Sequence, residues 1–119
     1  MKKLIILILT IAALTACKKT DDANEYKVRY VVEYSMPNIY VAYWNQDGAI
    51  RDTIVKNDYW EADIIIKDDF IAHFIVNASL DTIHRTIKSS VYLNNELLFT
   101  KSDTGKFAYT AIMDTVFIP

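Results

Sequence analysis

The side chains able to act as acid, base, nucleophile or metal ligand are few: His73, His84, Cys17 and fifteen carboxylates. General acid–base and nucleophilic catalysis need such groups within hydrogen-bond reach of one another. Neither histidine stands in a motif that would pair it with a nucleophile, and no Gly-x-Ser-x-Gly occurs. His73 alternates with Ile71 and Ile75, the pattern of a partly exposed histidine on a strand. Zinc favours clustered His and Cys, and a calcium loop needs carboxylates spaced to converge on one ion. Asp21-Asp22, Asp47 and Asp68-Asp69 lack that spacing. With only two glycines, the chain has no phosphate-cradling loop and little material for a catalytic cleft. The expectation is no catalytic residue, no metal and no cofactor: not an enzyme.

The single cysteine has a more telling context. Two lysines, Lys2 and Lys3, precede the apolar run 4–14, and Thr15-Ala16-Cys17 follows. This is the layout of a secretory signal, and the run falls well short of the roughly 20 residues that span a bilayer. Leu14-Thr15-Ala16-Cys17 resembles the lipobox of bacterial lipoproteins. That resemblance implies cleavage after residue 16, a diacylglycerol thioether on Cys17 and acylation of the new amine. One acyl chain anchors only marginally, whereas two or three anchor durably, at about 0.8 kcal/mol per buried CH₂. Residues 1–16 are then a signal peptide and 17–25 a lipidated polar tether. Lys18, rather than Asp, after the cysteine points to the outer membrane. Lys19-Thr20-Asp21-Asp22 resembles the surface-export signal of Bacteroidota lipoproteins, with Thr20 interposed. The expected location is the cell envelope, anchored in the outer membrane and exposed at the surface.

Loss of Lys2 and Lys3 takes the formal charge from −2 to near −4 and leaves 103 residues, enough for one domain. That balance, with no Lys/Arg cluster in the domain, excludes a nucleic-acid partner. Residues 26–119 alternate with period two. Tyr26, Val28, Tyr30, Val32 and Tyr34 share one side of a first strand, with Lys27, Arg29 and Glu33 on the other. Apolar or alternating runs recur over 38–45, 49–55, 59–66, 70–78, 87–93, 97–101 and 107–113. Gln46-Asp47-Gly48, Lys56-Asn57-Asp58, Lys67-Asp68-Asp69, Asn94-Asn95 and 102–105 have the chemistry of turns between them. Seven or eight strands at this spacing predict an all-β fold, an antiparallel immunoglobulin-like β-sandwich over 26–119.

Several segments resemble the small MmpS-like lipoproteins of Bacteroidota-type bacteria: 26–30, 39–44 with Gln46-Asp47-Gly48, 59–62, 74–79 and 91–97. Where such sequences often carry Pro-Trp, this one has Tyr59-Trp60. The resemblance implies a β-sandwich and, as an alternative function, an accessory subunit of an envelope transporter.

Aromatic residues are the strongest pointer to binding. Tyr40, Ala42 and Trp44 share one side of a strand, and Ile39, Val41 and Tyr43 the other. Either the strand is covered on both sides, which the sequence favours, or Tyr40 and Trp44 form an exposed stripe for sugar rings or a partner protein. Asp52-Thr53-Ile54, Asp81-Thr82-Ile83 and Asp114-Thr115-Val116 resemble the Asp-Thr-apolar motif of Bacteroidota O-glycosylation. Asp-Thr at strand edges also serves turns, and both readings stand. The leading expectation is a non-catalytic binding module held on the membrane through Cys17, its partner an unidentified protein or glycan.

Overall fold

The computed structural model describes residues 25–34 and 38–119. The expected signal segment, Cys17 and the tether up to residue 24 lie outside the described residues. The domain is all-β, with eight strands: β1 Tyr26–Tyr34, β2 Ile39–Trp44, β3 Ile50–Val55, β4 Tyr59–Ile66, β5 Phe70–Asn77, β6 Arg85–Leu93, β7 Glu96–Gly105 and β8 Tyr109–Val116. Two four-stranded antiparallel sheets, ordered β4-β1-β6-β7 and β3-β2-β5-β8, pack as a sandwich.

Alternation decides which side chains fill the space between the sheets. From the first sheet come Val28, Tyr30, Val32, Ile64, Ile66, Ile87 and Val91; from the second come Ile39, Val41, Ala72, Phe74, Val76 and Ile112. At the centre Tyr30 lies 5.1 Å from Tyr43 and 5.0 Å from Phe74 between ring centroids. Trp60 closes the cluster, 5.4 Å from Tyr43 and 6.2 Å from Phe74. Tilted and stacked aromatic pairs of this kind add about 0.5–1.5 kcal/mol each beyond their burial. The Tyr30 hydroxyl crosses the sandwich and donates to the Trp44 carbonyl at 3.0 Å. Burial pushes the Tyr30 phenol up, so it stays a neutral donor. A second polar bridge, Ser89 to Thr110 at 2.7 Å, joins β6 to β8 within the core.

The turns follow their chemistry. At 46–48 the Gly48 N–H donates to the Asn45 carbonyl at 3.0 Å, and Gly48 adopts φ +79°, where a Cβ would be strained. Asn94 and Asn95 both take positive φ, 48° and 69°, as a two-residue hairpin of the primed kind requires. The Asn94 side chain then accepts from the Lys27 N–H at 2.9 Å, pinning the hairpin to β1.

Two segments depart from expectation. Residues 102–105 are not a turn: they finish β7, with Ser102 opposite Lys88 and Thr104 opposite Thr86. An edge strand has a solvated side that accepts Ser, Asp and Thr, and Thr86 and Thr104 join their hydroxyls at 3.0 Å. The turn moves to Lys106-Phe107, so the last strand runs 109–116 rather than 107–113. Strand β6 likewise begins two residues early, at Arg85. That residue is 1% exposed, and its guanidinium donates to the Ala78 carbonyl at 3.0 Å and to Asp81 at 2.6 Å. The clamp gathers the crossover between β5 and β6, including Thr82 at φ 56°, a conformation that a β-branched residue rarely takes.

The Arg85 hydrogen bonds hold the Asp81 carboxyl down to about 2. A depressed folded-state value favours the ionised, folded form. The stabilisation is therefore full above the ordinary carboxylate range, near pH 4, and is lost as pH falls toward 2. Thermal melts between pH 4 and pH 2 should fall more steeply for the native chain than for Asp81→Asn, which lacks that titration.

Candidate functional site

The two outward faces of the sandwich differ sharply. On β4-β1-β6-β7 most outward side chains are polar and paired, with Val31, Ile65 and Leu97 set among them. Arg29 donates to Asp63 at 2.9 Å and lies 3.6 Å from Glu61, which also accepts from Tyr59 at 2.9 Å. Ser90 and Thr100 join their hydroxyls at 3.1 Å on the same face. A hollow of about 270 Å³ beside Arg29, Glu33, Tyr59 and Tyr92 opens there. Its one arginine is already engaged by two carboxylates, so it offers no free cation to an incoming anion.

On β3-β2-β5-β8 most outward side chains are apolar or aromatic. Register places them in three cross-strand rows, with Ile71 beside Thr115 beyond the third. The first is Ile54, Tyr40, Asn77 and Tyr109; the second is Asp52, Ala42, Ile75 and Ala111. The third holds Ile50 beside Trp44, with His73 beside Met113, and the Trp44 and His73 rings meet edge-on at 5.0 Å. Ile50 is 66% exposed and Met113 68% exposed. Bulky first and third rows stand over the small alanines of the second. Between them a hollow of about 200 Å³ forms, lined by Tyr40, Ala42, Trp44, Ile50, His73 and Ile75.

The sequence favoured coverage of β2 on both sides, and this is corrected. Ile39, Val41 and Tyr43 face the core, whereas Tyr40 and Trp44 look outward, half-buried by neighbours in their own sheet. Among the described residues no element covers them. The backbone explains the orientation: Tyr30 holds the Trp44 carbonyl from inside, and alternation sends the Trp44 indole to the other side. Sequence reasoning missed Ile50, Ile54, Ile71, Ile75 and Met113. Their alternation was legible, but which parity faces out is fixed only by strand pairing.

The few polar groups on this face are turned to each other. Tyr40 donates to Asp52 at 3.0 Å, an interaction that raises the Tyr40 phenol. The Asn77 side-chain oxygen accepts from the Ser79 N–H at 2.8 Å. The His73 Nδ1 is buried with no hydrogen-bond partner among the described residues. Sugar recognition would need polar groups ringing an aromatic platform to meet hydroxyls; here isoleucines and a methionine predominate, and Asp52 and Asn77 already hold bonds from Tyr40 and Ser79. The chemistry of the face is shape and apolar area, suited to a protein surface.

His84 is exposed in the crossover before β6, remote from the Trp44 row in sequence and sheet. Among the described residues no three His, Cys, Asp or Glu are grouped to hold a metal ion. Of the Asp-Thr motifs, Thr53 on edge strand β3 and Thr82 in the crossover are exposed, while Thr115 on β8 is half-buried. Asp81 and Asp114 also serve locally: Asp81 holds Arg85, and Asp114 accepts from the Thr115 N–H at 2.8 Å.

Residues on an uncovered face contribute little to folding. Ile50→Lys and Met113→Lys should each change unfolding free energy by no more than about 0.5 kcal/mol in urea titrations. Ile39→Ala, in the core, should cost about 2–5 kcal/mol. No family model matches the chain, and no curated protein matches it.

Proposed function

We propose that this chain is a lipid-anchored, non-catalytic interaction module of the cell envelope, whose β3-β2-β5-β8 face meets a protein surface. The observation that carries the reading is the contrast between the two outward faces of one sandwich. Both are solvated in the isolated chain, yet ion pairs and hydroxyl ladders cross one, around Ile65 and Leu97, whereas isoleucine, methionine and aromatic rings predominate on the other, around Asp52 and Asn77. Contiguous apolar area of this extent is a mark of interaction sites.

The anchor rests on the lipobox resemblance at Leu14-Thr15-Ala16-Cys17, and the outer-membrane, surface-facing placement on Lys18 and the residues after it. Exposure at Thr53 and Thr82 makes these two the stronger modification sites, and Thr115 the weaker. Mass spectrometry of the purified protein tests this group of assignments together. The mature chain should begin at a diacylglycerol-bearing Cys17, and Cys17→Ala should retain residues 1–16. Glycan mass should fall on Thr53 and Thr82 before Thr115. An unmodified Cys17 on a membrane-bound protein would sink the anchor assignment.

The face itself is tested in cells by a photo-reactive residue placed at Ile50, with Lys88 on the polar face as the comparison. Protein adducts should form from position 50 and not from 88. Equal or absent labelling from the two would overturn the assignment of the apolar face as the binding surface.

A further inference from the structure

We propose that the occupant of the apolar face is the same face of a second copy, related by a two-fold axis parallel to the strands. This rests on the reading of that face as a binding surface, and names its partner.

A two-fold interface must be self-complementary, because every contact is made twice. An axis in the sheet plane, running between β2 and β5, turns β3 over onto β8 of the other copy and β2 onto its β5. Each cross-strand row then meets itself reversed. Ala42 lies under Ile75 of the second copy, and Ala111 under Asp52, so small meets large in the middle row. Ile50 meets Met113 and Trp44 meets His73 in the third row, apolar or aromatic on both sides. In the first, Ile54 meets Tyr109, and Tyr40 meets Asn77, two polar groups already bonded to Asp52 and Ser79. The only carboxylate of the three rows, Asp52, falls at the β3 rim with Tyr40 already on it, where water can still reach it.

The axis direction has a second support. Tyr26 pairs with Ile66, and the Tyr30 hydroxyl reaches Trp44, so the chain enters at the end that holds the 46–48 turn. With the axis along the strands, both copies present that end on one side, as two chains tethered to one membrane must. An axis across the strands would put the tethers at opposite ends.

Area sets the strength. Four strands about 4.8 Å apart, over the seven residues 71–77 at about 3.3 Å each, project roughly 440 Å². This is about half of the roughly 800 Å² per partner of a standard interface. The pair belongs at the small end: dissociable in dilute solution and promoted by confinement to a membrane, which raises effective concentration.

The experiment cross-links the full chain in its own membranes. Facing sheets lie about 10 Å apart, too far for a disulfide, so a short bis-thiol-reactive linker is used. Differently tagged Ile50→Cys and Met113→Cys chains are co-expressed, and likewise Ile54→Cys with Tyr109→Cys. These positions are exposed, and thermal melts confirm folding. Mixed dimers should form for 50 with 113 and for 54 with 109, and not for 50 with 54, for 109 with 113 or for the native chain. Linking of 50 with 54 or of 109 with 113 instead, the pairs that an axis across the strands brings together, would overturn the axis along the strands. No linking, with photo-adducts from position 50 at a mass other than twice the chain, would overturn the second copy yet leave the interaction reading standing. Absence of both linking and adducts would overturn both.

Discussion

The hydrogen bond from the Tyr30 hydroxyl to the Trp44 carbonyl is the pivot of this domain. It is a polar contact inside an apolar sandwich, and such a contact is retained only if both groups are satisfied. Tyr30 sits at the middle of β1, a central strand of one sheet, and Trp44 ends β2, a central strand of the other. The bond therefore sets the slide of one sheet over the other, and the rings of Tyr43, Trp60 and Phe74 pack around the fixed phenol. It also fixes which way β2 faces. With Tyr43 committed to the core, Trp44 and Tyr40 are committed to the exterior, and the apolar face is the consequence.

Polar pairs elsewhere act as pins of the same kind. Ser89 and Thr110 tie β6 to β8, where the two sheets approach on the side away from β3 and β4. Arg85 is buried with its carboxylate partner and carbonyl acceptors around it, so its charge is compensated where it lies. These pins lie between sheets or at their ends, and they leave the outward faces free to differ in character.

Much of this was legible in the residues. Period-two alternation placed the eight strands within a few positions, since the inward side chains of β1 are apolar and three of the outward ones charged. The turns at 46–48 and 94–95 were marked by Gly and Asn, which accept positive φ. What stayed hidden depends on partners distant in the chain. Both sides of β2 are apolar, so alternation could not say which was covered; pairing with β5 and the reach of Tyr30 decide it. Arg85 reads as a surface residue until Asp81 and Ala78 are brought around it. Ser102 to Gly105 look like a turn until Thr86 and Lys88 appear opposite them. Leu98 and Phe99, adjacent in sequence, both pack on the core because β7 carries a bulge opposite Val91 and Tyr92, which defeats simple alternation.

The strand order bears on how the chain reaches its fold. Only β2–β3 and β6–β7 are hairpin neighbours; β1 must pair with β4 and with β6, whose residues lie some 30 to 60 positions further along. Non-local pairing of this sort closes large loops before any contact rewards them, and it makes folding slow. The first strand to emerge has no partner until most of the chain has followed. Under the proposed export, that delay has a use: β1 would stay unpaired for as long as the rest of the chain is still in transit through the membrane.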